Sequence, residues 1–349
     1  MFNRLWNRTV AAVCLVALSG VLCGAVALAG KPVPPPPPPV PPGTIYFNNW
    51  SGTDPNLSMK GDGSGKVQST GGVPTYKKHG NSRWFIQNRT VAGIDFDQWF
   101  AVNEAGDAVQ LTNDPNLRWN GYPATWAKDD SSFSICCVNE NPSGLGLDVE
   151  WIGQLLVIPV AWTDGVPSAG PATMVLELRR SVFDEWGEWS WNGYDEVSLG
   201  RHDWSPAGDE LALTHWVWGE GWVVDIVTFS ATVASRRLAT GAENPVWSPD
   251  GSRIAFNRAQ GSGYQDIKDI WTIKQDGTDV LRLTTYIAGS GYNGTAQYLP
   301  TWSPDGAYLA YTERKISGKT THNIRRIPAG GGSPTSLTSD GASSWPRWR

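Results

Sequence analysis

Histidine, methionine and cysteine are scarce in this chain, with four, three and four residues among 349. Past the first forty residues only Cys136 and Cys137 remain, so no disulfide framework staples the fold. No spacing brings three imidazole, thiol or carboxylate groups together, and neither a metal nor a cofactor is expected. Basic residues are outnumbered, 28 to 33, which argues against nucleic acid as a partner because that surface demands concentrated positive charge. A Gly-x-Ser-x-Gly elbow is missing, which removes the commonest serine-hydrolase signature. Long apolar runs are absent beyond residue 29, so any core must be assembled from many short segments.

What the chain does have falls into three zones. Arg4 and Arg8 precede an apolar run from Thr9 to Ala29 that closes on Ala27-Leu28-Ala29. A basic start, an apolar stretch and small residues two apart form an export signal, so residues 1–29 are expected to be removed, with Ala27 and Ala29 marking the cleavage site. At 21 residues the run is also long enough to span a bilayer, which makes an anchor through residues 9–29 the alternative. Cys14 and Cys23 lack the flanking residues of a lipidation signal. Residues 30–42 are a proline-rich linker, stiff in polyproline II form at roughly 3.1 Å per residue. Residues 43–349 form the third zone, and everything beyond the signal, linker included, carries 26 basic and 33 acidic side chains.

That zone repeats itself. Pro245-Val246-Trp247-Ser248-Pro249-Asp250-Gly251 runs into Ile254-Ala255-Phe256, and Pro300-Thr301-Trp302-Ser303-Pro304-Asp305-Gly306 runs into Leu309-Ala310-Tyr311. A third copy spans Trp204 to Leu213, and degenerate copies surround Trp126 and Tyr76. Ser, Pro, Asp and Gly in that order are turn chemistry, with proline pre-setting φ and glycine supplying a positive φ. Flanking alternation predicts two short strands with one buried face, and the Trp is a wedge at their start. A second hairpin follows each copy, as in Asp269-Ile270-Trp271-Thr272-Ile273 leading through Asp276-Gly277 to Leu283-Thr284. Four strands per repeat of roughly 40–50 residues is the unit of a propeller blade.

The Trp-Ser-Pro-Asp-Gly frame, followed by Ile-Trp-Thr-Ile, Asp-Gly and Leu-Thr, resembles the propeller domain of the TolB family and its WD-like relatives. The resemblance covers nearly all of residues 43–349. It implies partners among envelope lipoproteins or translocation machinery. Where that family carries an α/β domain before its propeller, this chain has the proline segment. Six ring-entry aromatics, Tyr76, Trp126, Trp204, Trp247, Trp302 and Trp348, predict an all-β, six-bladed β-propeller. The copy at Trp348 supplies only a first strand, and Thr44–Phe47, Leu57–Lys60 and Lys66–Gln68 fit the other three, so both termini close one blade.

Function is expected where the repeat breaks. The long interval from Trp126 to Trp204 predicts an insertion in the third blade, whose segment 183–195 is acidic and aromatic. Trp186, Trp189 and Trp191, with Asp184 and Glu188, offer indole faces beside carboxylates, a combination suited to a protein partner or a sugar. Trp216, Trp218 and Trp222 extend the region, although packing between blades is the favoured account of these Trp residues. His202 and Asp203, on an inner strand, are further candidates for facing the channel. Cys136 and Cys137 alternate along a strand, which favours two unrelated thiols over a strained ring. The sequence thus predicts a monomeric, non-catalytic binding module in the periplasm or outside the cell, holding a protein partner of the envelope. The alternative is a propeller that binds carbohydrate or cleaves it, as a polysaccharide lyase or glycosidase, through residues 183–195.

Overall fold

The computed structural model describes residues 41–49, 56–68, 76–79, 82–94, 97–103, 105–114, 124–142, 149–181, 199–217, 219–229, 233–259, 268–285, 294–317 and 319–349. They form six antiparallel blades in a ring. Blade 1 joins β1 (Thr44–Asn49), β2 (Asn56–Lys60) and β3 (Val67–Gln68) to β25 (Ser343–Trp348). Blade 2 holds β4 (Tyr76–His79), β5 (Ser82–Arg89), β6 (Gln98–Asn103) and β7 (Ala108–Gln110). Blade 3 holds β8 (Thr125–Trp126), β9 (Ser132–Pro142), β10 (Val149–Thr163), β11 (Val166–Ala169) and β12 (Thr173–Ser181). Blade 4 runs through β13 (Leu199–Trp204), β14 (Glu210–Val217), β15 (Gly221–Phe229) and β16 (Val233–Thr240). Blade 5 has β17 (Ala242–Trp247), β18 (Arg253–Ala259), β19 (Lys268–Lys274) and β20 (Leu281–Arg282). Blade 6 has β21 (Gly294–Trp302), β22 (Tyr308–Ser317), β23 (Lys319–Pro328) and β24 (Thr335–Ser336).

The repeated turn explains itself bond by bond. Ser248 Oγ accepts the Arg253 N–H at 2.9 Å and donates to Asp250 Oδ1 at 2.6 Å, while Gly251, at φ 73°, returns its N–H to Ser248 O. Ser303 repeats this with Tyr308 and Asp305. In blade 4, where Ala207 replaces the aspartate, Asp209 beyond the glycine takes the serine proton at 2.8 Å. In blade 3 no glycine is present, and Asp130 itself adopts φ 66°. The Leu-Thr ending is equally local. Thr112, Thr284 and Thr338 each accept, at 2.9 Å, an N–H from the third strand of their own blade.

The core is a series of layers between neighbouring blades. Five clusters of buried side chains lie among the described residues, and each contains one ring-entry Trp: 126, 204, 247, 302 or 348. Three of these indoles donate their N–H backward: Trp204 to Ser134 Oγ and Thr125 O, Trp302 to Val246 O, and Trp348 to Pro42 O. The expectation of one buried face per strand is corrected here. Leu211, Ala212 and Leu213 are all fully buried, because Leu211 and Leu213 pack toward blade 3 while Ala212 packs toward blade 5. A sheet covered on both faces reads as a continuous apolar run.

Two features depart from a simple four-stranded repeat. Blade 3 has five strands, since the 15-residue β10 pairs with β12 over Glu150–Val157 and with β11 over Val160–Thr163. The β10–β11 turn is Asp164-Gly165, both at positive φ (53° and 78°), as a two-residue hairpin turn of matching twist requires. Trp84 of blade 2 donates to Gly165 O at 2.9 Å. Second, the inner strands bulge. Asn244, Leu299 and Trp345, each three residues before the Trp, stand at φ 56–59°. Their N–H groups are taken by Thr214, Asn257 and Thr312, on the second strand of the preceding blade.

Closure joins the two ends of the chain. β25 pairs with β1, with Ile45 opposite Trp348, and Thr44 and Arg349 exchange backbone hydrogen bonds of 2.6 and 2.9 Å. Gly43 fits this junction because a Cβ there would strike the Arg349 carbonyl and the Pro304 ring. Residues 1–40, which include the apolar segment and all of the linker but Pro41 and Pro42, lie outside the described residues.

Candidate functional site

In four of the blades the inner strand places the residue before its Trp at the channel. Period two sends the Trp into the layer between blades and the residue before it the other way. Asp203, Val246, Thr301 and Arg347 thereby line a cavity of about 390 Å³. Lys128 and Arg349 join them, and the Ser-Pro turns at Pro206, Pro249 and Pro304 form its rim. Basic side chains outnumber acidic ones there three to one.

Two of these side chains also hold blades together. Asp203 accepts the Trp247 N–H at 2.9 Å and meets Lys128 Nζ at 3.1 Å, so one carboxylate links blades 3, 4 and 5. Thr301 does the same with the Trp348 N–H at 3.1 Å. Arg347 is half-buried, and its side chain makes no hydrogen bond or ion pair with a described residue. Burial, with repulsion from Arg349, draws its pKa down to about 10, and attraction from Asp203 works against that. The group stays charged at neutral pH. Two residues before Asp203 and Arg347 on their strands, Arg201 lies over the Trp345 ring at 4.9 Å.

The structure separates His202 from Asp203. Asp203 lines the cavity, while His202, only 6 % exposed, points between blades with Nδ1 3.4 Å from Cys136 Sγ. Burial pushes the His202 pKa down to about 4, against weaker support from Ser134, Gly200 and Asp203. Cys136 and Cys137 are free and buried on opposite faces of β9, in different clusters. Burial raises both thiols, Cys137 to about 12, so neither is a ready nucleophile. Among the described residues no three His, Cys, Asp or Glu side chains converge to hold a metal.

His202 makes a pH prediction. Its folded pKa lies below the ordinary 6.5, so between 6.5 and about 4 the unfolded chain takes up a proton that the folded one refuses. Stability should therefore fall as pH drops through that window, by about 3 kcal/mol at the full shift. Urea unfolding at pH 7 and pH 5 should show the loss, and His202→Phe should flatten it. An unchanged slope in that variant would assign the effect elsewhere.

Trp186, Trp189, Trp191, Asp184, Glu188 and Trp218 lie outside the described residues. Trp216 and Trp222 are a cross-strand, edge-to-face pair with centroids 5.5 Å apart. Nearby is a cluster that sequence reasoning missed. His215 Nε2 is 2.8 Å from Asp225 Oδ2, Arg237 Nε reaches Asp225 Oδ1 at 2.6 Å, and Arg237 also pairs with Glu220. Burial alone would raise Asp225, but the bonds from His215 and Arg237 outweigh it and hold the carboxyl below its usual range. Glu313 and Arg325 make a 3.1 Å pair at the matching register of blade 6, so this is a repeated staple between second and third strands.

No family model matches the chain, and no curated protein does. Solved structures do. TolB from Acinetobacter baumannii matches with a TM-score of 0.53 at 13 % identity, covering 88 % of this chain and 66 % of that one. The propeller fold is shared. A putative TolB from Agrobacterium tumefaciens matches at 14 % identity and a TM-score of 0.45, covering 86 % and 90 %. The periplasmic gluconolactonase of Pseudomonas aeruginosa matches at 13 % identity and a TM-score of 0.46, covering 88 % and 98 %. The chain spans just under two thirds of the A. baumannii protein. The expectation that the chain is not an enzyme is corrected by these matches. They include a gluconolactonase, a puromycin-hydrolysing peptidase and putative 6-phosphogluconolactonases, so proteins of this architecture include enzymes. The repeat is turn and packing chemistry, and such chemistry excludes no reaction.

Proposed function

We propose that the protein is exported and serves in the cell envelope as a propeller that holds a protein partner on the face carrying its Ser-Pro turns. The observation that carries this reading is the cavity at the channel mouth, open on that face and predominantly basic in a chain with an acidic balance. Localised charge of the opposite sign to the whole selects a partner's acidic segment and steers its approach. The rim is built from rigid turns, which suits a surface that binds with little reorganisation. Support also comes from the resemblance of the repeats to the TolB family, and from the basic start and apolar run of residues 1–29, which we read as an export signal. Among the described residues no helix is long and apolar enough to cross a membrane.

A photo-crosslinker tests both parts. Placed at Pro249 on the rim, it should capture one discrete envelope protein, joined to a mature chain that begins at Gly30. Placed at Gly219, in the β14–β15 hairpin at the far end of the blade, it should not. Equal capture from both positions, or capture of glycan in place of protein, would sink the reading in favour of a non-selective surface or of carbohydrate. A captured chain that retains residues 1–29 would replace export by anchoring.

A further inference from the structure

We propose that the channel mouth is a carboxylate-binding site whose primary ligand-facing cation is Arg347. This deepens the reading of the turn face as a partner surface, and rests on it for the source of the carboxylate.

Four equivalent positions, each one residue before a ring-entry Trp, meet at this cavity. Asp203 has spent its oxygens on the Trp247 N–H and on Lys128. Thr301 has spent its hydroxyl lone pair on the Trp348 N–H. Val246 has nothing polar to offer. Arg347 has five donors, and none is engaged by a described residue. The charge is held in place by the fold, since Trp348 beside it is locked into the layer between blades 6 and 1. Burial removes solvent and Arg349 adds repulsion, which is why the group loses its proton more easily than a free guanidinium. An anion entering the cavity would relieve both.

The cavity also narrows the class of anion. A guanidinium fork matches the two oxygens of a carboxylate, and such bidentate pairs are among the strongest hydrogen-bonded contacts. Asp203 stands in the same cavity and disfavours a dianion such as phosphate more than a monoanion. Val246, Trp247, Pro249 and Pro304 give it apolar walls for a carbon skeleton. A volume of about 390 Å³ accommodates an acidic side chain or a small organic acid. An acidic segment of a protein and a free organic acid present the same group.

Calorimetry at low salt separates these sources with four probes: a tetraglutamate peptide amide, its tetraglutamine counterpart, citrate and inorganic phosphate. The wild-type chain should bind tetraglutamate and not tetraglutamine. Arg347→Gln should weaken that binding roughly tenfold or more, the scale of one charge-assisted pair. Asp203→Asn keeps an oxygen for the Trp247 N–H and removes the competing charge, so it should tighten binding by roughly three- to tenfold. Because these variants move affinity in opposite directions, a folding defect in the first does not protect the idea from the second. Affinity unchanged in both, or phosphate preferred over both carboxylates, would overturn it. Citrate binding that depends on Arg347, with no protein captured from Pro249, would uphold the carboxylate site and remove the protein partner. Capture from Pro249 that persists in Arg347→Gln, with no acid bound by the wild type, would do the reverse.

Discussion

Deleting Trp345–Arg349 should leave a chain that no longer unfolds in a single cooperative transition. The deletion strips from β1 most of its inner neighbour, including the pairing of Ile45 with Trp348, and exposes a strand edge. It also empties the layer between blades 6 and 1, where Trp348 packs with Phe47, Met59 and Ile324. Truncating one buried Trp to Ala costs about 3–5 kcal/mol, a large part of the roughly 5–15 kcal/mol that holds a typical domain together. Trp348→Ala alone should therefore lower the melting temperature by roughly 10 °C. The deletion should abolish the transition and shift the chain to larger species in size-exclusion chromatography. A deletion variant that melts like the full chain would show that the ring is held elsewhere.

Trp204→Ala should be the most costly single substitution away from the closure. The side chain is 1 % exposed, packs against Phe229 at 5.1 Å, and donates to Ser134 Oγ at 2.9 Å. Its loss combines a cavity with a buried hydroxyl that has lost its donor, for a total of about 4–6 kcal/mol. Trp204→Phe restores part of the volume but not the donor, so it should recover about half. Trp345, 40 % exposed over Arg201, is the contrast. Its replacement by Ala should cost under about 1 kcal/mol. Urea midpoints read all three, and equal losses at positions 204 and 345 would contradict the assignment of Trp204 as a wedge between blades.

The ring of six blades was legible because its signals are local. A serine that caps its own turn, a proline that sets φ and a glycine at positive φ act within five residues, so a linear reading finds them. The shared blade was legible for the same reason, since a first strand without its partners and three strands without a first are visible at the two ends. The bulges were not. Leucine and tryptophan are poor residues for positive φ, and nothing beside Leu299 or Trp345 announces one. They are held by Asn257 and Thr312, 42 and 33 residues earlier and on another blade. The fifth strand of blade 3 was hidden because one strand, β10, serves two outer partners in succession.

His202 and Asp203 show where the boundary falls. Sequence alone set the strand, its period and the Trp that ends it, and so required the two neighbours to point in opposite directions. Which of them met the channel was decided by tertiary structure. Trp204 had to enter the layer against Phe229 and Ser134, and His202, two residues earlier, followed it to the same side beside Cys136. Asp203 was left to face Lys128 and the cavity. The same logic turned Arg347, an ordinary cation beside a Trp by sequence, into the charge at the channel mouth. Turn chemistry depends on neighbours along the chain, and burial and charge depend on neighbours across it. The propeller was therefore written in the first, and its candidate site only in the second.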